Sequence, residues 1–205
     1  NMSQKLFLIL IISLHLLSCD QKKNKEIIDS KIAEQLAFNK NVDNIFLNIK
    51  FGMDKSEFNS SILEQKSIGK VSFDLDQYAY QFKNNPNLEG INWFVGSKMH
   101  NDTLIGISLT AYEDLSSSVN LNLTQVYKET VQEYITKYGT PNHSDENYDK
   151  YWFINNLEIN IVKTDGKIII SYEDTRRRKS IDWQKCRFDA DYNSQDAWYY
   201  EKMKE

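Results

Sequence analysis

The sequence predicts an α+β fold in which helices pack on an antiparallel sheet, and three observations carry that expectation. Two stretches of helical periodicity each open on a side-chain N-cap, Asp54 and Asn122. Each is followed by short alternating runs rich in β-branched and aromatic residues. Those runs are joined by turns too short for the crossover that parallel strands require. A helix followed by three antiparallel strands, met twice, reads as a tandem repeat with halves at 45–112 and 122–174 inside a domain spanning 30–174.

In the first half, Ser30 to Phe38 can form a short helix with Ile32, Ala33 and Leu36 on one side. An apolar run, Ile45 to Ile49, leads into Phe51-Gly52-Met53. Asp54-Lys55-Ser56-Glu57 has the form of a capping box, an acceptor at the N-cap and a Glu three residues on. Phe58, Ile62 and Leu63 are the expected buried face of the helix it opens, and Ser67-Ile68-Gly69 ends it. Strands are expected at 71–82, with Tyr78, Tyr80 and Phe82 on one face, and at 91–95, with Ile91, Trp93 and Val95 alternating. Asn84-Asn85-Pro86-Asn87 is the turn between them. In the third strand, 103–112, Ile105, Ile107, Leu109 and Ala111 face one way and Gly106, Ser108 and Thr110 the other. That alternation predicts a sheet buried on one face only.

In the second half, Asn122 with Gln125 caps a helix whose apolar positions are Leu123, Tyr127, Val131, Tyr134, Ile135 and Tyr138. Gly139 and Pro141 stop it in the usual order. Strands follow at 149–154, 157–163 and 167–173, with Asn155-Asn156 and Asp165-Gly166 as hairpin turns because Asn and Gly tolerate positive φ.

Upstream of the domain, Asn1 precedes the expected initiator Met2 and is set aside as an expression remnant. Lys5 is a basic start, and Leu6 to Leu17 is an uncharged, mostly apolar run of twelve residues. Twelve is too short to span a bilayer but fits the apolar region of a secretory leader, residues 1–18. Leu16-Leu17-Ser18-Cys19 then resembles the lipobox of bacterial lipoproteins. The resemblance implies cleavage after Ser18 and acylation of Cys19. Several acyl chains, at roughly 0.8 kcal/mol per buried methylene, make a stable anchor to the membrane. Residues 19–29, with Lys22, Lys23 and Lys25, are then a tether beside anionic headgroups. Either membrane of a Gram-negative envelope is compatible, on its periplasmic or surface side. With Cys19 acylated, Cys186 has no partner for an intramolecular disulfide and reads as a small buried hydrophobe.

Ile49 to Glu57, with its Gly52-Met53 and Glu57, resembles the helix opening of small envelope lipoproteins. Tyr138-Gly139-Thr140-Pro141 before a Trp-containing hairpin does so too. The group is the outer-membrane-assembly and β-lactamase-inhibitor-like one, and the resemblance covers residues 45–174. It implies helix-plus-antiparallel-sheet modules, sometimes tandem, that bind other proteins and catalyse nothing.

Candidate chemistry is sparse. His100-Asn101-Asp102 and His143-Ser144-Asp145 pair an imidazole with a carboxylate, as a zinc site or a general base would. Both fall in expected turns, where Asp and Asn serve the backbone. Arg176-Arg177-Arg178-Lys179 could meet phosphate headgroups or an acidic partner, or could be a solvated charge run. The segment 175–205 adds Trp183, Phe188 and Trp198-Tyr199-Tyr200, which are either interface anchors or packing groups.

Seven Gly and two Pro in 205 residues leave little room for collagen-like, linker-like or Gly-rich phosphate-loop readings. A net charge of −4 argues against a nucleic-acid binder. The expected role is a non-enzymatic, lipid-anchored binder of another envelope protein, of inhibitor, immunity or scaffold type, with no cofactor. The alternative is an envelope hydrolase or glycan-binding protein that uses carboxylates and the aromatic residues of 175–205.

Overall fold

Asp54 and Asn122 divide the chain as expected. In the computed structural model, which describes residues 26–38, 40–113, 122–144 and 149–177, each starts a helix by accepting a backbone N–H three residues on. The Asp54 box is closed in both directions, Glu57 N–H to Asp54 Oδ1 at 2.8 Å and Asp54 N–H to Glu57 Oε2 at 2.9 Å. The leader, Ser18, Cys19, Asp145, Arg178, Lys179, Cys186 and the aromatic residues from Trp183 onward lie outside the described residues.

Helix α1 covers residues 26–36, starting four residues earlier than expected. A small hairpin follows, β1 (Asn44–Phe46) and β2 (Ile49–Lys50). Then come α2 (Lys55–Ser67), β3 (Val71–Asp74), β4 (Gln77–Tyr80), β5 (Trp93–His100) and β6 (Thr103–Tyr112). The second half runs α3 (Leu123–Tyr138), β7 (His143–Ser144), β8 (Lys150–Ile154), β9 (Leu157–Thr164) and β10 (Lys167–Asp174). A single turn of 3-10 helix, Thr175–Arg177, ends the described chain. Among the described residues, no helix is long and apolar enough to cross a membrane.

Strands β3 to β10 form one antiparallel sheet in the order β3-β4-β5-β6-β10-β9-β8-β7. Two four-strand meanders therefore meet at their last strands. Ile107-Ser108-Leu109 of β6 lies against Ile170-Ser171-Tyr172 of β10, serine opposite serine. The order of a helix and then an antiparallel meander occurs twice among the described residues, with four strands each time rather than the expected three. The stretch 71–82 is two strands, because Leu75-Asp76 makes a two-residue turn, with φ of 47° and 60°. Leucine at positive φ costs roughly 1–2 kcal/mol, so no turn signal is visible there in the sequence.

Helices α2 and α3 cover one face, and one core cluster joins both halves. Phe58 and Ile62 of α2 share it with Tyr134 of α3, Trp93, Leu109, Trp152 and Ile170. Leu63, an expected core position, is exposed, while Gln65 takes the third buried place on α2. A bulge opposite Lys98-Met99 puts an extra residue in β6, so Leu104 rather than Ile105 enters this cluster.

The opposite face is not simply solvated, as the alternation in 103–112 had predicted. Tyr151 and Phe153, flanking the inward Trp152, pack beneath Ile28 and Ile32 of α1. Ala79, Phe94 and Tyr112 form a further cluster toward the β4 end. Between them Lys98 reaches across Gly106 to Glu173, Nζ to Oε1 at 2.8 Å. A Cβ at Gly106 would lie 2.7 Å from the backbone oxygen of Tyr172, which explains a glycine inside a central strand.

The segment joining α1 to β1 rounds the sheet end at the β8–β9 turn and is clamped there. The fully buried Asn156 amide takes Val42 N–H on Oδ1 at 2.5 Å and donates Nδ2–H to Val42 O at 3.1 Å. Asn156 O in turn accepts the backbone N–H and the hydroxyl of Thr175, at 2.8 and 3.1 Å.

Candidate functional site

The two histidine triplets are far apart. His100 closes the β5–β6 turn, paired with Thr103 across Asn101-Asp102, whose φ values of 48° and 56° are those of a tight hairpin. Asn101 Nδ2 and His100 Nε2 are 3.3 Å apart. His143 sits on β7, its ring 5.5 Å from that of Tyr151. Five strand spacings of about 4.8 Å separate β5 from β7, so the two imidazoles stand on the order of 24 Å apart and cannot share one ion. Among the described residues, no three His, Cys, Asp or Glu side chains come together as a metal site.

Arg176, at the head of the basic run, stays exposed but folds back along the chain. Its guanidinium holds the buried Asp174 carboxylate, Nε at 2.9 Å from Oδ1 and Nη2 at 2.6 Å from Oδ2, and Nη1 donates to Asn41 Oδ1 at 3.1 Å. That hydrogen bonding raises the Arg176 pKa further, against an opposing effect of burial. Its contacts lock the end of β10 to the α1–β1 segment, beside the Asn156 clamp. The remaining side chains of the run, and Trp198, Tyr199 and Tyr200, fall outside the described residues.

The strongly shifted acids are tyrosines sealed in the core. Tyr134 of α3 and Tyr172 of β10 hydrogen-bond hydroxyl to hydroxyl. Burial pushes both well above the ordinary tyrosine range. Phe46, carried by the β1–β2 hairpin, stacks on Tyr172 at 5.8 Å and meets Tyr80 edge-on at 4.8 Å. Tyr80 is raised by burial and then by the nearby Glu133 carboxylate. Hydroxyls held protonated beneath helices stabilise the core and offer no poised base near neutral pH.

The surface feature that the sequence reading did not identify lies at the β3 end of the sheet. Leu63 and Ile68 of the α2 region, with Phe73 and Leu75 of the β3–β4 hairpin, are between 46% and 57% exposed. Phe73 packs edge-on to Tyr78 at 5.2 Å, and Lys66 Nζ lies 5.0 Å over its ring. Beside them β3 is the outermost strand among the described residues, which hydrogen-bond it on one side only. In a two-residue hairpin the closing pair, Asp74 and Gln77, is hydrogen-bonded, and pairs alternate from there. Val71 and Phe73 consequently point their backbone N–H and C=O groups out of the free edge. The opposite edge, β7, is two residues long and carries His143 and Ser144. Among the described residues, the first strand of one meander makes a blunted edge and the first strand of the other an open edge beside apolar side chains.

In comparisons with known proteins, the chain matches no family model, no curated protein and no solved structure.

Proposed function

We propose that this chain is a lipid-anchored envelope protein that acts by binding protein rather than by catalysis. The observation carrying this reading is the open β3 edge with exposed Phe73 and Leu75 beside it. Apolar side chains next to unpaired strand backbone are the surface that a partner strand covers. The lipobox-like Leu16-Leu17-Ser18-Cys19 supports placement at a membrane, with acylation at Cys19. An inhibitor, immunity protein or assembly scaffold would use such an edge while held near its partners by lipid.

Two measurements test the two parts of the proposal. Metabolic labelling with an alkyne fatty acid should mark the wild type and leave Cys19→Ala unlabelled; equal labelling removes the anchor. Crosslinking and pull-down from native envelopes should recover a stoichiometric protein, and the Phe73→Lys/Leu75→Lys variant should lose it. Equal recovery with that variant removes the β3 edge as the binding surface. Recovery of no protein removes the binding reading and moves the search to glycan substrates.

A further inference from the structure

We infer that the protein bound at the β3 edge is a second copy of this chain, added strand to strand about a two-fold axis through Ser72. The inference rests on the reading of that edge as a protein-binding surface and names its occupant.

Hydrogen-bond parity comes first. An incoming antiparallel strand must place its own outward N–H and C=O groups opposite those of Val71 and Phe73. In β3 itself the outward residues are again Val71 and Phe73, two positions apart. Two copies centred on Ser72 therefore pair Val71 of each with Phe73 of the other, and all the outward backbone groups of both residues are used.

Charge complementarity follows in the same register. Lys70, just before the strand, falls opposite Asp74 of the second copy, and the pair occurs twice by symmetry. Opposite charges directly across an antiparallel pair stabilise it. Asp74 lies on the sheet face of Ser72 and Ala79, away from α2, where it also accepts Asn92 Nδ2–H at 2.8 Å, while Val71 and Phe73 meet on the helix side. Beyond that pair the strand ends, at Gly69 with φ of 71° on one side and at Leu75 with φ of 47° on the other. The pairing thus covers Phe73 and brings the exposed Leu75 and Ile68 to its rim. Within Val71–Asp74 there is no Pro, Lys or bulge to block an edge. The result is isologous and closed, one continuous sixteen-strand sheet, since the other end of each sheet is the two-residue β7.

A disulfide at the axis tests this. In the full chain with Cys186→Ser, expressed in its membrane, Ser72→Cys puts two thiols on a non-hydrogen-bonded pair. The Cα–Cα distance there is about 4.5 Å, within disulfide range. Mild oxidation should give a disulfide-linked dimer at least about five-fold above an exposed control, Ser56→Cys. Added to Ser72→Cys, either Lys70→Asp or Asp74→Lys alone should abolish the dimer, because like charges then face each other twice. Co-expression of those two charge variants should restore it, since their charges are complementary and restoration requires both to be folded. A yield at Ser72→Cys no greater than at the control overturns the inference. So does failure of the two charge variants to restore dimer together. A disulfide from Ser72→Cys to a different protein also overturns self-pairing, while leaving the protein-binding function standing.

Discussion

Replacing the hydroxyls of Tyr134 and Tyr172 one at a time, then together, measures what the buried pair contributes. Both side chains are nearly free of solvent, and each hydroxyl is hydrogen-bonded to the other between α3 and β10. Tyr134→Phe leaves the Tyr172 hydroxyl buried without that partner, and Tyr172→Phe does the reverse. Either should cost about 1–3 kcal/mol, the penalty for an unpaired buried polar group. The double Phe variant removes donor and acceptor together and keeps both rings in place, so it should lie within about 1 kcal/mol of wild type. The resulting coupling energy, about 1–6 kcal/mol from those costs, is read from urea unfolding at neutral pH in a four-member cycle. The same pair governs the alkaline limb. Burial holds both folded-state pKa values above the unfolded value of about 10. Their contribution is therefore complete below pH about 10. It is lost above that, at about 1.4 kcal/mol per pH unit for each tyrosine, as the unfolded chain releases protons first. The double Phe variant should lose this steep fall. Two single variants whose costs simply add, with an unchanged alkaline limb, would refute the pairing as the source of stability.

Three further perturbations follow from the fold. Replacing Leu75-Asp76 by Asn-Gly supplies residues suited to positive φ and should raise stability by about 1–2 kcal/mol, seen as a higher urea midpoint at unchanged slope. Asn156→Ala breaks both hydrogen bonds to Val42 and should cost roughly 2–3 kcal/mol, with faster amide exchange at Val42 before global unfolding. Gly106→Ala should cost more than Gly96→Ala in thermal unfolding. The new methyl meets backbone oxygen at Gly106, whereas at Gly96 it meets the Ser108 hydroxyl, which can rotate away.

Much of this architecture was legible because capping and turn chemistry are local. The Asp54 and Asn122 caps, the strand at 103–112 and the Asp165-Gly166 hairpin all follow from residue types a few positions apart. What was not legible depends on contacts distant in sequence. Leu63 reads as core and Gln65 as surface by polarity, yet the direction of α2 across the sheet buries Gln65. The bulge that exchanges Ile105 for Leu104 is set by pairing with β5. The β3 edge was hidden for a different reason: its hairpin turns on Leu75, a residue type disfavoured at positive φ. Arg176 reads as one of a run of surface cations and is exposed, but nothing near it in sequence announces its bonds to Asn41 and to the buried Asp174.

The position of β10 has a consequence for how the chain is made. It is the last of the ten described strands to leave the ribosome, yet it occupies the middle of the sheet, between β6 and β9. Until it arrives, β6 presents ten residues of largely apolar strand with one side unpaired. The first meander is then a half-sheet with a long sticky edge, and its proper mate is about sixty residues away in sequence. Vectorial synthesis thus carries the protein through a period of high aggregation risk, which the arrival of β10 relieves. A chain stalled or clipped before Lys167 would not be a slightly smaller version of the protein. It would be two unmatched halves seeking any strand that fits.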